Sequence, residues 1–244
     1  MRFVSLASRN FKELYREPVS ILLGLLMPAG LLVLFALIGK NVHLDIFTPD
    51  MLTPGVTIFS FAFLIMFSAV LLSKDRQSAF LLRLLTTPLK PVDFILAYFV
   101  PYIPFALLQI LVCFAVGILL GAAYSVLNVV LSLVVILPMA LVCIGIGMIL
   151  GSLLSEGQIS AIGSMLITAI SIFGGIWMDL QMVGGIFEEI SYALPFAHGV
   201  DAARNILAGT GLGNVATHLY WVYGYAVILF VLGILSFRYK TASN

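Results

Sequence analysis

Charge is scarce in this chain. Only 9% of its 244 residues are Asp, Glu, Lys or Arg, while 62% are hydrophobic. A soluble domain carries about 25% charged residues, so the chain cannot cover a globular surface in water, and a bilayer must be the solvent for much of it. Cysteine is nearly absent. Cys113 and Cys143 both fall inside apolar runs, where they read as small buried hydrophobes rather than a disulfide or metal pair. The three histidines, His43, His198 and His218, are scattered with no metal-ligand spacing, and no helix face carries paired carboxylates. That pattern argues against an intramembrane enzyme. A phosphate-cradling loop is missing too. The single Gly-Lys dipeptide, Gly39-Lys40, is followed by Asn41, and Leu34 stands where the first glycine of such a loop belongs. With a net charge of +1, nothing points to a nucleic-acid partner.

What the chain has is apolar length. Six runs, Pro18–Gly39, Thr53–Ser73, Phe94–Leu120, Val126–Leu154, Ile159–Met178 and His218–Phe237, contain no Asp, Glu, Lys or Arg. A transmembrane helix needs about 20 apolar residues, and backbone exposed to hydrocarbon must be helical or in a closed barrel. The expected fold is therefore an all-α integral membrane protein with six transmembrane helices, one domain over 1–244. No cleavable signal peptide is expected, because Arg2, Arg9, Lys12 and Arg16 precede the first run and no small-residue cleavage site closes it. Pro28, Pro101, Pro104 and Pro138 interrupt the spans and predict kinks.

Basic residues set the orientation. Ten of them (Arg2, Arg9, Lys12, Arg16, Lys74, Arg76, Arg83, Lys90, Arg238, Lys240) fall on one side of this topology and two (Lys40, Arg204) on the other. Both termini and the 74–93 connection are expected in the cytoplasm, in the inner or plasma membrane of a cell.

Three connections carry chemistry. Residues 1–17 predict an amphipathic helix in the cytoplasmic interface. Phe3, Val4, Ala7, Phe11, Leu14 and Tyr15 form one arc, and Arg2, Ser5, Arg9, Lys12, Glu13 and Arg16 the other. Residues 74–91, KDRQSAFLLRLLTTPLKP, predict a cytoplasmic helix with a stripe of Phe80, Leu81, Leu84 and Leu85. Such a stripe needs a cover, either lipid or a partner groove. Residues 185–213 are too polar and too broken by Pro195 and Gly199 to span. They predict two external short helices, re-entrant into the outer leaflet and packed on the outer ends of the fifth and sixth spans. Asp201 and Arg204, three residues apart, are spaced for an ion pair.

These motifs resemble the ABC type-2 exporter permeases. Asp75-Arg76, Arg83-Leu84-Leu85 and Thr87-Pro88 are similar to that family's motif between the second and third spans, roughly D-R-E-x-G-T-x-E-x-L-L-x-T-P. Ala79 replaces its glycine and Leu82 its second acid. Leu194-Pro195, Val200-Asp201-Ala202 and Arg204 are similar to its later signature, roughly L-N-P-x-x-x-x-V-D-A-x-R. The match around Phe173-Gly174-Gly175 is partial. The resemblance implies a permease subunit without catalytic, metal or cofactor site of its own. It would work with two copies of a cytoplasmic ATPase that bind ATP and Mg, and with a second permease, identical or homologous. The expected cargo is amphipathic or lipid-like. Asp75, Arg76, Phe80, Arg83, Leu84, Leu85 and Pro88 would couple to the ATPase, and Pro195, Asp201 and Arg204 would form an external gate. Gln109, Phe173, Gly174 and Gly175 are candidates for the pathway. The alternative is an ATP-independent secondary transporter or channel, against which the lack of ionisable groups in the spans, His218 at a boundary excepted, argues.

Overall fold

The computed structural model describes residues 2–42, 45–78 and 91–242. Among these, every regular element is helical. The helices are α1 (Arg2–Tyr15), α2 (Pro18–Val42), α3 (Pro49–Ser60), α4 (Ala62–Gln77), α5 (Pro91–Phe99), α6 (Tyr102–Leu119) and α7 (Val126–Leu153). They continue with α8 (Glu156–Phe173), α9 (Leu180–Val183), α10 (Gly185–Tyr192), α11 (Pro195–Leu207) and α12 (Ala216–Ala242). Six stretches are long and apolar enough to cross a membrane: Pro18–Val42, Pro49–Gln77, Val92–Leu119, Val126–Leu153, Glu156–Phe173 and Leu212–Phe237. The second joins α3 to α4 and the third joins α5 to α6.

The fourth span, α7, is the hub. It packs on α4, α12 and α11. Gly147 and Gly151 let it approach α4 at backbone distance: a Cβ at Gly147 would stand 2.0 Å from Ser68 Oγ, and one at Gly151 2.6 Å from the Ala69 carbonyl. Two glycines four residues apart on one helix face bring apolar helices into van der Waals contact where no hydrophobic effect drives them together.

The prolines organise the rest. A proline in a helix removes the donor for the carbonyl four residues earlier, and in hydrocarbon no water replaces it. Pro28 frees the Gly24 carbonyl, which accepts from Gln109 Nε2 of α6 at 2.9 Å. Pro54 frees that of Asp50, which accepts from the Tyr124 hydroxyl at 3.0 Å. Pro101 frees that of Ala97, which accepts from Asn10 Nδ2 of α1 at 3.1 Å. Pro138 frees that of Val134, which accepts from the Tyr223 hydroxyl of α12 at 2.9 Å. Each kink is thus a docking point for another element.

The second span breaks between α3 and α4 for a different reason. Thr57 and Ser60 donate their hydroxyls back to the Thr53 and Thr57 carbonyls, which loosens the helix. The amides of Phe61 and Leu64 turn to the carbonyls three residues before them. The Ser60 carbonyl is left to the other hydrogen of Gln109 Nε2, at 3.0 Å.

Two expectations are corrected. The fifth span is Glu156–Phe173 rather than Ile159–Met178. It starts earlier because Ser155 and Gln158 form a capping box. It stops earlier because Gly175 takes a φ of +67°, which ends the helix in the left-handed region. The helices α10 and α11 do form within 185–213, but α11 packs on α7, α12 and α3 far more than on the fifth span. The amphipathic helix α1 forms over Arg2–Tyr15, with only part of its apolar arc turned into the subunit. Leu6, Ala7, Asn10 and Leu14 are buried while Val4, Phe11 and Tyr15 stay exposed. The buried side faces α5, and its centre is the polar Asn10 that Pro101 calls for.

Candidate functional site

Two clusters lie at opposite ends of the second span. The first is built on Asp75, in the last turn of α4. A buried carboxylate needs charge and donors around it, and Asp75 is only 4% exposed. The Arg9 guanidinium of α1 forks onto it, with Nη2 to Oδ1 at 2.8 Å and Nη1 to Oδ2. The Tyr98 hydroxyl of α5 donates to Oδ2 at 2.5 Å. Arg9 also meets Glu13 at 2.6 Å and the Asn10 side-chain carbonyl at 3.0 Å. Burial works against the Arg9 charge, but the hydrogen bond and charge of Asp75 outweigh it and hold the guanidinium above its ordinary pKa. The next residue, Arg76, turns the other way and donates through Nη2 to the Leu154 carbonyl at the end of α7, 2.7 Å away. Ser73 Oγ donates to the same carbonyl at 2.8 Å. Asp75-Arg76 therefore ties α4 to α1 and α5 on one side and to the α7 terminus on the other. The remaining residues expected here, Phe80, Arg83, Leu84, Leu85 and Pro88, lie outside the described residues.

The second cluster is built on α10, α11 and the turn after the fifth span. Pro195 occupies the first turn of α11, where its missing N–H costs nothing. Asp201 and Arg204 do not pair with each other, contrary to the spacing argument. Arg204 donates to three backbone carbonyls, through Nε to Met51 at 3.0 Å, Nη1 to Gly175 at 2.9 Å and Nη2 to Ile176 at 3.0 Å. Burial lowers its pKa, and the neighbouring Asp201 and Asp179 oppose that shift. Asp201 instead accepts from the Tyr192 hydroxyl of α10 at 2.5 Å. Burial first, and then Asp201, push the Tyr192 pKa up. Two of the carbonyls that Arg204 reads, those of Gly175 and Ile176, lie in the turn that Gly174 and Gly175 make at the end of the fifth span, which gives this glycine pair its role. Phe173 packs on Phe187 of α10, with ring centroids 5.1 Å apart. Beside these residues opens a cleft of about 700 Å³, lined by Asp45, Met51, Asp179, Asp201, Arg204 and His218 among others.

Two of the histidines, distant in sequence, meet here. His198 Nδ1 lies 2.8 Å from His218 Nδ1, and His198 Nε2 lies 2.9 Å from the Tyr192 carbonyl. The carbonyl requires a proton on Nε2, so in the neutral pair His218 donates and His198 accepts. Trp221 stacks on His198 at 5.1 Å, and burial lowers the His198 pKa.

Of the pathway candidates, Gln109 is wholly buried within the subunit and serves the first and second spans as a donor. Reasoning on the sequence did not single out Arg9, Asn10, Tyr98, Tyr192 or the histidine pair. For Asn10 alone a signal existed, a polar residue on the buried side of an amphipathic helix near a proline-kinked span.

The sequence profile of the ABC-2 type transporter family matches residues 1–208. No curated protein matches the chain. The matched region takes in Asp75-Arg76, all of α7 and the α10–α11 pair with Arg204, so the chain belongs to the ABC-2 type transporter family, as its membrane-spanning permease.

Proposed function

We propose that this chain is the transmembrane subunit of an ATP-driven exporter. It would move an amphipathic or lipid-like substrate outward from the cytoplasm or the inner leaflet, powered by two copies of a separate cytoplasmic ATPase and paired with a second permease. The observation that carries this reading is the second span. It is 89% buried within the subunit and joins the two clusters. Its α4 end holds Asp75-Arg76, and its α3 end supplies the Met51 carbonyl to Arg204. Under this reading a push on the Asp75 end would reach the α11 end through this buried span, across its break at Phe61. The ten-to-two basic count assigns the Asp75 end to the cytoplasm, where an ATPase would dock on residues 74–91, and the Arg204 end to the outer face.

What the spans expose supports the substrate class. The first, fifth and sixth are only 22%, 17% and 11% buried, and the residues they present are Leu, Val, Ile, Met and Tyr. Six spans are too few to enclose a wide path, so these faces suit a second permease and an apolar cargo between the two. The test is to reconstitute the permease with its ATPase and to follow ATP hydrolysis while drugs, phospholipids, glycolipids and amphipathic peptides are added in turn. Stimulation by one of these classes supports the reading, and indifference to all of them opposes it.

A further inference from the structure

Asp75 belongs to the segment expected to meet the ATPase, yet both of its oxygens are engaged inside the subunit. One accepts from Arg9 of α1, and the other from Arg9 and from Tyr98 of α5. Tyr98 is fully buried and Asp75 nearly so. To contact a docked protein, the carboxylate would have to abandon a charge-assisted fork and a phenol donor in a dry setting, where a stranded charge is costly. A second tether lies one residue away. Asn10 donates to the Ala97 carbonyl freed by Pro101, so α1 is pinned both to the second span and to the kink of the third.

We propose that Arg9 and Tyr98 are positioning residues for energy coupling: together with Asp75 they form an internal latch that fixes α1 and the start of the third span to the cytoplasmic end of the second span. The proposal rests on the exporter reading above. Helix α4 ends at Gln77, two residues after Asp75, and α5 begins at Pro91, so residues 79–90 are flanked in sequence by the two helices that the latch joins. Both ends of that segment are therefore held by the latch, since Asp75 sits on α4 and Tyr98 on α5. An ATPase docked there meets a base whose two roots and the neighbouring α1 move as one body. With the latch broken, the same docking surface remains, but its displacement is absorbed by slippage between α1, α4 and α5 instead of reaching the second span. Asp75 acts on the ATPase through this geometry and not by contact.

The experiment uses the whole permease co-expressed with its ATPase, purified in nanodiscs. Two quantities are read: the ATPase retained per permease, and the vanadate-sensitive hydrolysis per retained ATPase. Arg9→Ala, Asp75→Asn and Tyr98→Phe should retain the ATPase as wild type does. Hydrolysis per complex should change by about fivefold to tenfold in the first two, the size of coupling carried by a side-chain network, and by less in Tyr98→Phe. Arg9→Ala and Asp75→Asn combined should be no worse than either alone, because the second change finds the latch already open. Arg9→Lys, which keeps the charge without the fork, should recover part of the loss. Loss of ATPase retention in Asp75→Asn with Arg9→Ala unaffected would make Asp75 a docking residue and overturn the latch. So would additive effects in the double variant, or wild-type hydrolysis in all of them. If a variant assembles poorly, the ratio per retained complex still decides, and a normal ratio in Tyr98→Phe and Arg9→Lys together with Arg9→Ala counts against the latch. Failure of the wild-type permease to retain any ATPase would overturn the exporter reading itself, and that is seen before any variant is made.

Discussion

Gln109 Nε2 lies 2.9 Å from the Gly24 carbonyl, the group that Pro28 deprives of its helical donor. The same nitrogen reaches the Ser60 carbonyl at the break in the second span, at 3.0 Å. One amide of the third span thus satisfies two backbone defects, one in the first span and one in the second.

Replacing Gln109 with Leu strands both carbonyls. Each buried, unsatisfied group costs about 1–3 kcal/mol, so Gln109→Leu should lower the thermal unfolding temperature of the purified permease by several degrees. Adding Pro28→Ala returns an N–H to Gly24 and should recover part of the loss. A double variant no more stable than Gln109→Leu would show that the proline defect is not what Gln109 repairs.

Arg204 holds the first turn of α3 and the turn after the fifth span through three charge-assisted bonds. Arg204→Ala should weaken this junction by about 2–3 kcal/mol, given such bonds at ~1.5–3 kcal/mol each and their poor additivity. Limited proteolysis should then cut within 185–207, and hydrolysis should run uncoupled from export. Arg204→Lys should rescue only partly, since lysine lacks the planar fork. Protease resistance and full coupling in Arg204→Ala would make the junction incidental.

The histidine pair predicts a pH dependence. The His198 pKa is lowered by burial, with His218 adding to that and the Tyr192 carbonyl and Asp201 opposing it. A group whose folded pKa lies below its unfolded value of about 6.5 binds more protons when unfolded, so its contribution is present above about pH 7 and is lost as pH falls below about 6.5. A second proton on the pair would also place two N–H groups face to face. The charged and titratable neighbours are Asp201 on α11, Tyr192 on α10 and His218 on α12. Unfolding temperature measured from pH 8 to pH 5 should fall more steeply in wild type than in His198→Gln, whose amide still donates to Tyr192. Parallel curves would remove His198 as the cause.

The six spans, the amphipathic start and the two helices between the fifth and sixth spans were legible because hydropathy and helical period are local. The end of the fifth span was overrun because Gly175-Ile176-Trp177 reads as apolar, while the chain there turns through a left-handed glycine. The latch was illegible for another reason. Arg9 and Asp75 are 66 positions apart, and Arg9 sits on what looks like the solvent arc of α1. Likewise, spacing suggested an Asp201–Arg204 pair, but three backbone carbonyls offered Arg204 better geometry. Prolines were visible as kinks, though the side chains that serve their freed carbonyls come from other spans and follow no period.

Orientation has its own test. Lys74 and Asn205 are exposed at opposite ends of the bundle, and the native Cys113 and Cys143 are buried. Asn205→Cys should react with an impermeant maleimide added to intact cells, and Lys74→Cys only after permeabilisation. The reverse pattern would invert the topology.

The central claim is that ATP hydrolysed by a partner drives export through this chain. It is tested most directly by adding a fluorescent phospholipid and a fluorescent cationic amphiphile to the outside of inverted vesicles that contain the permease with either an intact ATPase or one disabled in its phosphate-binding loop. The account predicts ATP-dependent accumulation of at least one probe with the intact ATPase and none with the disabled one. Equal movement in both, unaffected by ATP, would contradict it.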